Sequence, residues 1–508
     1  MQTRRDQLQA YRYLLRRILA AMLGSEPESL EQPMRRVSTA TFAGAMVGAL
    51  ACAGVALYGW LADTNATRWK NEPNALIVEK ETNAAYLYLP KSQLASGGDQ
   101  PATPEPPAGL TGERDEKDMV LVQVLNYTSA QLILDGPVKV VRVSKKSLEG
   151  IPRGPRVGIP LAPNSVPDKE NLVFAPWTVC STARTVDDQT RLRVDLVIGT
   201  ANEELDADPI GDRGLLVSAP DGTTHLVWKG KRLEVDADAL RSLSLSPSSA
   251  VPVSEMWLGT IEAGQPLAAP VVPQRGNPSP FQIEGRTATI GQVFHTPSPD
   301  AYFVMLEDGF SRISEVQALL LLGSGTAREG GRVQTEPTEI PISAVNQASS
   351  QTATMLVPDL PETPPELVDL GSADGVPVCL SYEDPEEGVT VLTGGRLPAP
   401  AETATDTADD PNTGGGTVGL ADRVLVPPGK GTIVGLLPGR DLDPQGYFLI
   451  TEDGVKYPVP DRQTLAKLGY NGVDPLLVPP SMLRLIPQGP ALTTEAAHRT
   501  AAFEPSRQ

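Results

Sequence analysis

An uncharged run of 25 residues, Val37–Leu61 (VSTATFAGAMVGALACAGVALYGWL), constrains this chain more than any other feature. As a helix rising about 1.5 Å per residue it spans roughly 37 Å, enough to cross a hydrocarbon layer of about 30 Å with tilt. Arg4, Arg5, Arg12, Arg16, Arg17, Arg35 and Arg36 precede it, whereas the far flank opens with Asp63 and then mixes Arg68 and Lys70 with Glu72. Arginine beside a membrane stays on the cytoplasmic side. The sequence therefore predicts a single-pass protein of the inner (cytoplasmic) membrane. Residues 1–36 would face the cytoplasm, 37–61 would span, and 62–508 would lie on the extracytoplasmic, periplasmic side. Phe42, Tyr58 and Trp60 fall toward the two interfaces, as aromatic belts do. A cleaved signal peptide has a shorter leader and apolar core. A lipobox at Cys52 would want an aliphatic residue where Ala49 stands, so Cys52 reads as a small residue on a Gly/Ala-rich helix face.

Inside, Leu8, Tyr11, Leu15, Ile18 and Met22 follow steps of three and four and define one apolar helical face, with Arg5, Arg12 and Arg16 falling away from it. Ser25 precedes Glu28 by a capping-box interval, with Pro27 in the first turn, so a second short helix is expected to lead through Arg35 and Arg36 into the membrane. A basic amphipathic helix can lie on anionic lipid or dock against a partner helix, and both readings stand.

The charge balance, 43 basic against 62 acidic side chains, gives −19. That excess repels phosphate and excludes nucleic acid as a partner. With 46 glycines, 49 prolines and 5% aromatics, the outer part suits short strands and many turns better than a helical bundle. Beyond the membrane the cysteines are Cys180 in FAPWTVCS and Cys379 in GVPVCLSY. In an oxidising compartment such a pair most simply forms one disulfide. The alternative is a Cys180 thiol nucleophile served by His225 or His295.

Three segments place an apolar run before an Asp-Gly turn: LLVSAPDG ending at Asp221–Gly222, YFVMLEDG ending at Asp308–Gly309, and YFLITEDG ending at Asp453–Gly454. Asp-Gly between such runs is a hairpin signal, because both turn positions favour positive φ. Each is followed by a strand-like and then a helix-like stretch, so the unit is strand, turn, strand, helix. A fourth copy uses Tyr86–Pro90 and Val120–Leu134, with Lys91–Asp118 as an expanded hairpin loop. The expected fold class is α+β and β-rich, with four such repeats around a central β-domain. Repeat 1 covers 62–137 with its insertion at 91–118, repeat 2 covers 206–275, repeat 3 covers 276–345 and repeat 4 covers 421–488. The central domain combines 138–205 with 346–397, one cysteine in each part. A flexible linker occupies 398–420 and a disordered tail 489–508.

The residues also carry a family resemblance. LVQVLNYTSAQLIL, VSKKSLEGIPRGPRVGIPLAPNSVP (Val143–Pro167), PWTVC (Pro176–Cys180), VLVPPGKGTIVG (Val424–Gly435) and the opening QLQAYRYLLRRILAAML resemble the EccB membrane components of actinobacterial type VII (ESX) secretion systems. The resemblance implies one membrane crossing, four repeats around a central domain, a paired cysteine bridge, and assembly with the EccC motor ATPase, EccD and EccE. The long insertion at Lys91–Asp118 departs from the compact first repeat expected of the family.

Family members are sometimes labelled ATPases, yet the chain has no GxxxxGK[ST] loop; the nearest fragment, Pro427–Thr432 (PPGKGT), lacks the spacing. With His225, His295 and His498 as its histidines, it has no HExxH or zinc-type cluster and no GxSxG elbow. Asp187–Asp188, Glu203–Glu204 and Glu386–Glu387 read as solvated turns. No enzyme activity, cofactor or metal is expected. The leading expectation is a structural subunit of the secretion complex that self-associates outside. The alternative is a membrane-held peptidoglycan-binding module, with Tyr302 and Tyr447 as candidate carbohydrate contacts.

Overall fold

The computed structural model describes residues 4–24, 33–63, 68–94, 118–134, 137–186, 188–351, 354–371, 374–398, 419–437, 444 and 446–501. Arg4–Gly24 forms helix α1 and Pro33–Asp63 forms helix α2. A leading proline suits α2, because first-turn N–H groups have no helical acceptor. No charge interrupts α2 between Arg36 and Asp63, and Val37–Tyr58 within it is long and apolar enough to cross a membrane. The side chains of Val37–Tyr58, Phe42, Val55 and Tyr58 among them, are exposed. Arg35 and Arg36 already belong to α2 rather than to a separate short helix, since nothing after Pro33 breaks the winding. The Ser25–Glu28 pattern lies outside the described residues.

The chain forms two compact units: the described residues within Met1–Pro90, Thr111–Val122 and Lys139–Gly154, and those of the remainder. In the first, β1 (Ala75–Glu79) pairs antiparallel with β2 (Ala85–Pro90), and β3 (Met119–Gln123) adds beside β2. The helix that follows, α3 (Tyr127–Ile133), belongs to the second unit. The chain then returns as β4 (Lys139–Val143), parallel to β1, giving the order β3-β2-β1-β4. This corrects the expectation that Lys139–Val143 begins the central domain. Its alternation, with Val141 half-buried and Val143 buried on one face and Val140 and Arg142 exposed on the other, fits the edge of this sheet. Trp69, Ile77, Tyr86, Leu121, Val143 and Leu148 fill the core. The expected 91–118 loop lies mostly outside the described residues; Lys91–Gln93 makes one short 3-10 turn.

After α3 the second unit continues with a long hairpin, β5 (Trp177–Val186) and β6 (Gln189–Ile198), followed by β7 (Ala207–Pro209). Next come β8 (Leu215–Ser218), β9 (Thr224–Trp228), β10 (Lys231–Val235), helix α4 (Ala237–Ser242), β11 (Val251–Pro252), helix α5 (Glu255–Leu258) and β12 (Glu262–Ala263), a sheet of order β11-β8-β9-β10-β12. After a small hairpin, β13 (Pro278–Ile283) and β14 (Arg286–Thr289), the chain forms β15 (Val293–Pro297), β16 (Asp300–Leu306), β17 (Gly309–Ile313) and helix α6 (Glu315–Gly323). A second hairpin, β18 (Arg328–Glu329) and β19 (Arg332–Val333), precedes β20 (Thr338–Glu339) and α7 (Ile342–Gln347); the sheet order is β17-β16-β15-β20. Then β21 (Pro377–Tyr382), β22 (Val389–Gly394) and β23 (Arg423–Leu425) join the opening hairpin and β7 in a six-stranded central sheet, β23-β6-β5-β21-β22-β7. The last sheet, β26-β25-β24-β27, is built from β24 (Gly431–Leu436), β25 (Tyr447–Thr451), β26 (Lys456–Val459), α8 (Arg462–Lys467) and β27 (Leu476–Val478). Helices α9 (Pro480–Leu483) and α10 (Thr494–His498) follow.

The strand after each main helix runs parallel to the first strand of its set: β4 beside β1, β11 beside β8, β20 beside β15, β27 beside β24. The helices also start alike. Asn126, Asp236, Ser314 and Asp461, just past the third strand, each accept a backbone N–H from the third residue onward, which satisfies one orphan donor of the first turn. One face of the central sheet, with Trp177, Val179 and Leu196, shares a single core with Val217 and Trp257 and with Val434, Ile450 and Ile486.

The described end of the chain is packed, not loose as expected for 489–508. Leu492 is buried and its N–H donates to Pro458 O at 2.8 Å, α10 packs on α3, and Thr500 bridges to Val157. Buried leucine and closed hydrogen bonds outweigh the polar composition that suggested a tail. Residues 502–508, and 399–418 of the expected linker, lie outside the described residues.

Candidate bracing and interaction sites

The period-two pattern of PWTVC and VPVCLSY puts both cysteines on one face of neighbouring strands. Cys180 on β5 stands directly opposite Cys379 on β21, Cα–Cα 4.0 Å, and the two form a disulfide with S–S 2.06 Å. The thiol-nucleophile alternative is thereby set aside, with His225 on β9 and His295 on β15 in other sheets. The row continues across the sheet: Leu392 faces Cys379, Asp195 faces Cys180, and Arg423 faces Asp195. Asp195, 1% exposed, accepts from Arg423 Nε at 2.6 Å and from Arg193 Nε at 3.2 Å. A buried carboxylate is tolerable only with such partners. The row thus crosses β22, β21, β5, β6 and β23, with a covalent bond between β21 and β5 and an ion pair between β6 and β23. Sequence reading missed Asp195, although a lone acid inside VDLVIG was the available signal.

The three Asp-Gly pairs lie in turns of three different sheets and do not come together. Asp308–Gly309 joins β16 to β17 and Asp453–Gly454 joins β25 to β26, in the second hairpin of each sheet. Asp221–Gly222 lies in the first hairpin of its sheet, between β8 and β9. The second hairpin there turns through Lys229 and Gly230, φ 46° and 70°. Positive φ at both positions, expected for the Asp-Gly pairs, holds at none of them. Gly222, Gly309 and Gly454 have φ of 87°, 135° and 70°, and the aspartates stay out of the left-handed region. Their side chains do other work. Asp308 accepts from Ser350 Oγ (2.8 and 2.9 Å) and from Gln351 N–H (3.1 Å), tying down the chain after α7. Asp221 accepts from Thr223 N–H and Oγ1, and these bonds hold its carboxyl below the usual range. Asp453 is pushed the other way, by burial first and then by Glu452.

On α1, Leu8, Tyr11, Leu15, Ile18 and Met22 are all exposed, as are Tyr13, Leu14 and Leu19, while Arg12 and Arg16 are exposed beside them. The helix therefore carries an uncovered apolar face. Tyr302 stacks on His295 with ring centres 4.7 Å apart, and buried Tyr447 accepts from Arg462 Nε, so neither tyrosine presents a bare ring. The PPGKGT fragment connects β23 to β24. Lys430 Nζ donates to Asn171 Oδ1 at 3.1 Å, and a strand begins at Gly431 where a phosphate-binding loop would open a helix. Among the described residues, no group of three or more His, Cys, Asp or Glu could hold a metal ion.

A family model described as Type VII secretion system ESX-1, transport TM domain B, matches residues 1–502. ESX-1 secretion system ATPase EccB1 of Mycolicibacterium smegmatis (strain MKD8) is 28% identical over 519 residues, covering 99% of this chain and 97% of its own length. ESX-2 secretion system ATPase EccB2 of Mycobacterium tuberculosis (strain ATCC 25618 / H37Rv) is 28% identical over 449 residues, 82% of this chain and 88% of its own. Among solved structures, a chain of an intact ESX-5 inner membrane complex superposes with TM-score 0.63 at 24% identity, covering 100% of this chain and 97% of that one. A chain of the EccB3 dimer from the ESX-3 core complex gives 0.61 at 25% identity, covering 84% and 99%.

Proposed function

This chain belongs to the EccB family of the type VII secretion system, and from that premise we propose that it is a structural core subunit of an ESX inner-membrane complex. Its role in protein export is then assembly through binding rather than catalysis. The observation that carries this reading is the reach of the family match, which includes both the candidate membrane helix and the whole β-rich part. The ATPase in the relatives' names is said of those proteins; Lys430 here is engaged with Asn171.

In this reading residues 1–36 face the cytoplasm and the β-rich part lies in the periplasm. Helices α1 and α2 dock to EccC, EccD and EccE, with Leu8, Tyr11, Leu15, Ile18, Met22, Arg12 and Arg16 at the contact, and the outer part associates with further copies. The four similar sheets are copies of one repeat around the central, disulfide-braced sheet. Their common strand order and common helix caps support this, with Lys139–Val143 counted in the first repeat.

Affinity purification of the tagged full chain, coexpressed with EccC, EccD and EccE, is expected to recover all three, and deletion of residues 1–24 to lose them. Unchanged recovery by the deletion variant removes α1 from the contact. Failure of the full chain to recover any partner, together with its retention on purified peptidoglycan, would replace the reading with the cell-wall one.

A further inference from the structure

Outside α1 and α2, two large apolar side chains among the described residues stand far barer than the rest: Leu161, 88% exposed, and Val271, 86%, with Val140 next at 53%. Leu161 occupies the third position of a tight turn, Ile159–Ala162, closed by Ala162 N–H donating to Ile159 O at 3.3 Å. Its φ is 61°, in the left-handed region that suits glycine at that turn position and crowds the Cβ of any other residue. The turn is held rigidly against the start of α3. Asn126 Nδ2 donates to Ile159 O at 2.9 Å, Ile159 N–H donates to Ser129 Oγ at 2.9 Å, and Thr128 Oγ1 donates to Pro163 O at 2.7 Å. A strained backbone that persists at a fixed place points to a function for the residue it presents, here a bare leucine knob aimed at solvent.

Val271 lies just ahead of Pro273, which lines a cleft of about 420 Å³ with Leu306, Glu307, Asp308 and Met355. One wall is fixed, because Met355 donates its N–H to Ser311 Oγ at 3.1 Å and its carbonyl accepts from Gln317 Nε2 at 2.7 Å. Pro273, Leu306 and Met355 make the lining apolar, and Glu307 and Asp308 add acidic groups to it. The knob is apolar at its tip, and Arg156, exposed, precedes it in the same segment.

We propose that Leu161 of one copy of this chain seats in the cleft beside Val271 of a second copy, with Arg156 facing Glu307 and Asp308. Knob and cleft are different surfaces, so the contact either closes a pair reciprocally across a two-fold axis or runs head to tail into a ring or file. The inference rests on the self-association proposed above and names its contact.

The test is sedimentation of the full chain in detergent, with thermal melting alongside. Leu161→Gly removes the knob but relaxes the left-handed turn, so the melting midpoint is expected to hold or rise while self-association weakens about tenfold or more. Val271→Asp is expected to weaken it equally from the other side. Mixing the two variants leaves one intact contact, Leu161 of the Val271→Asp copy in the cleft of the Leu161→Gly copy, and should give pairs and nothing larger. Wild-type association by Leu161→Gly, or a mixture that forms no pairs, overturns the contact while leaving self-association in place. A wild-type chain that stays monomeric yet still recovers EccC, EccD and EccE overturns the contact and leaves the subunit reading standing.

Discussion

Asp221 and Asp453 begin the same two-residue turn motif and titrate in opposite directions. Thr223 bonds to an exposed carboxylate and lowers the first, whereas burial and Glu452 raise the second. A carboxyl raised in the folded state keeps its proton at a pH where the unfolded chain has lost it. Stability therefore falls as pH rises from about 3.8 through the folded value of Asp453, and the penalty is complete above it. Asp453→Asn is expected to raise the melting midpoint by about 1–2 °C at pH 7 and to give no gain near the unfolded pKa. Asp221→Asn has the opposite sign: a small loss at pH 7 that disappears as pH falls through the lowered value, because only the ionised form gains from Thr223. Melts at both pH values check the pair. The turns themselves were legible from the Asp-Gly dipeptides, but their environments were not. Burial at Asp453 comes with the neighbouring Gly454, where an added Cβ would stand 2.9 Å from Val424 O, a neighbour that only the folded sheet brings there.

Elements were legible where a pattern repeats and illegible where a partner is distant. Alternation in PWTVC and VPVCLSY announced buried strands, and the Cys180–Cys379 pairing needed only the compartment and an even count. Lys139–Val143 went to the wrong sheet because VKVVRV looks the same beside any partner. Its parallel pairing with β1 crosses more than fifty residues of chain, and no local signal encodes that. The close approach of α4 and α6 is equally silent in sequence. Gly323 ends α6 against Ser242, whose Cα would lie 2.9 Å from an added Cβ. Alanine is the better helix former by roughly 1 kcal/mol, so Gly323→Ala on an exposed helix would stabilise. Here it is expected to cost about 1–3 kcal/mol by overpacking, read from urea unfolding. A gain would show that the helices part freely.

At the scale of the molecule, the polar, proline-bearing stretch after Gly489 misled because composition cannot see a docking groove. The packing of α10 on α3 and the bridge from Thr500 to Val157 bind this stretch to segments more than three hundred residues earlier. Truncation after Gly489 is expected to lower the melting midpoint by several degrees and to speed protease cleavage near residues 155–165; a loose tail would leave both unchanged. The candidate membrane helix and the β-rich class were readable from hydropathy and Gly/Pro content, and the common strand order was not, since it depends on the parallel returns of β4, β11, β20 and β27.

The clasp between Thr500 and Val157 sets a timetable. Helix α3 is made more than three hundred residues before Thr494–His498, so it waits without its α10 cover until the later segment has been synthesised and can dock.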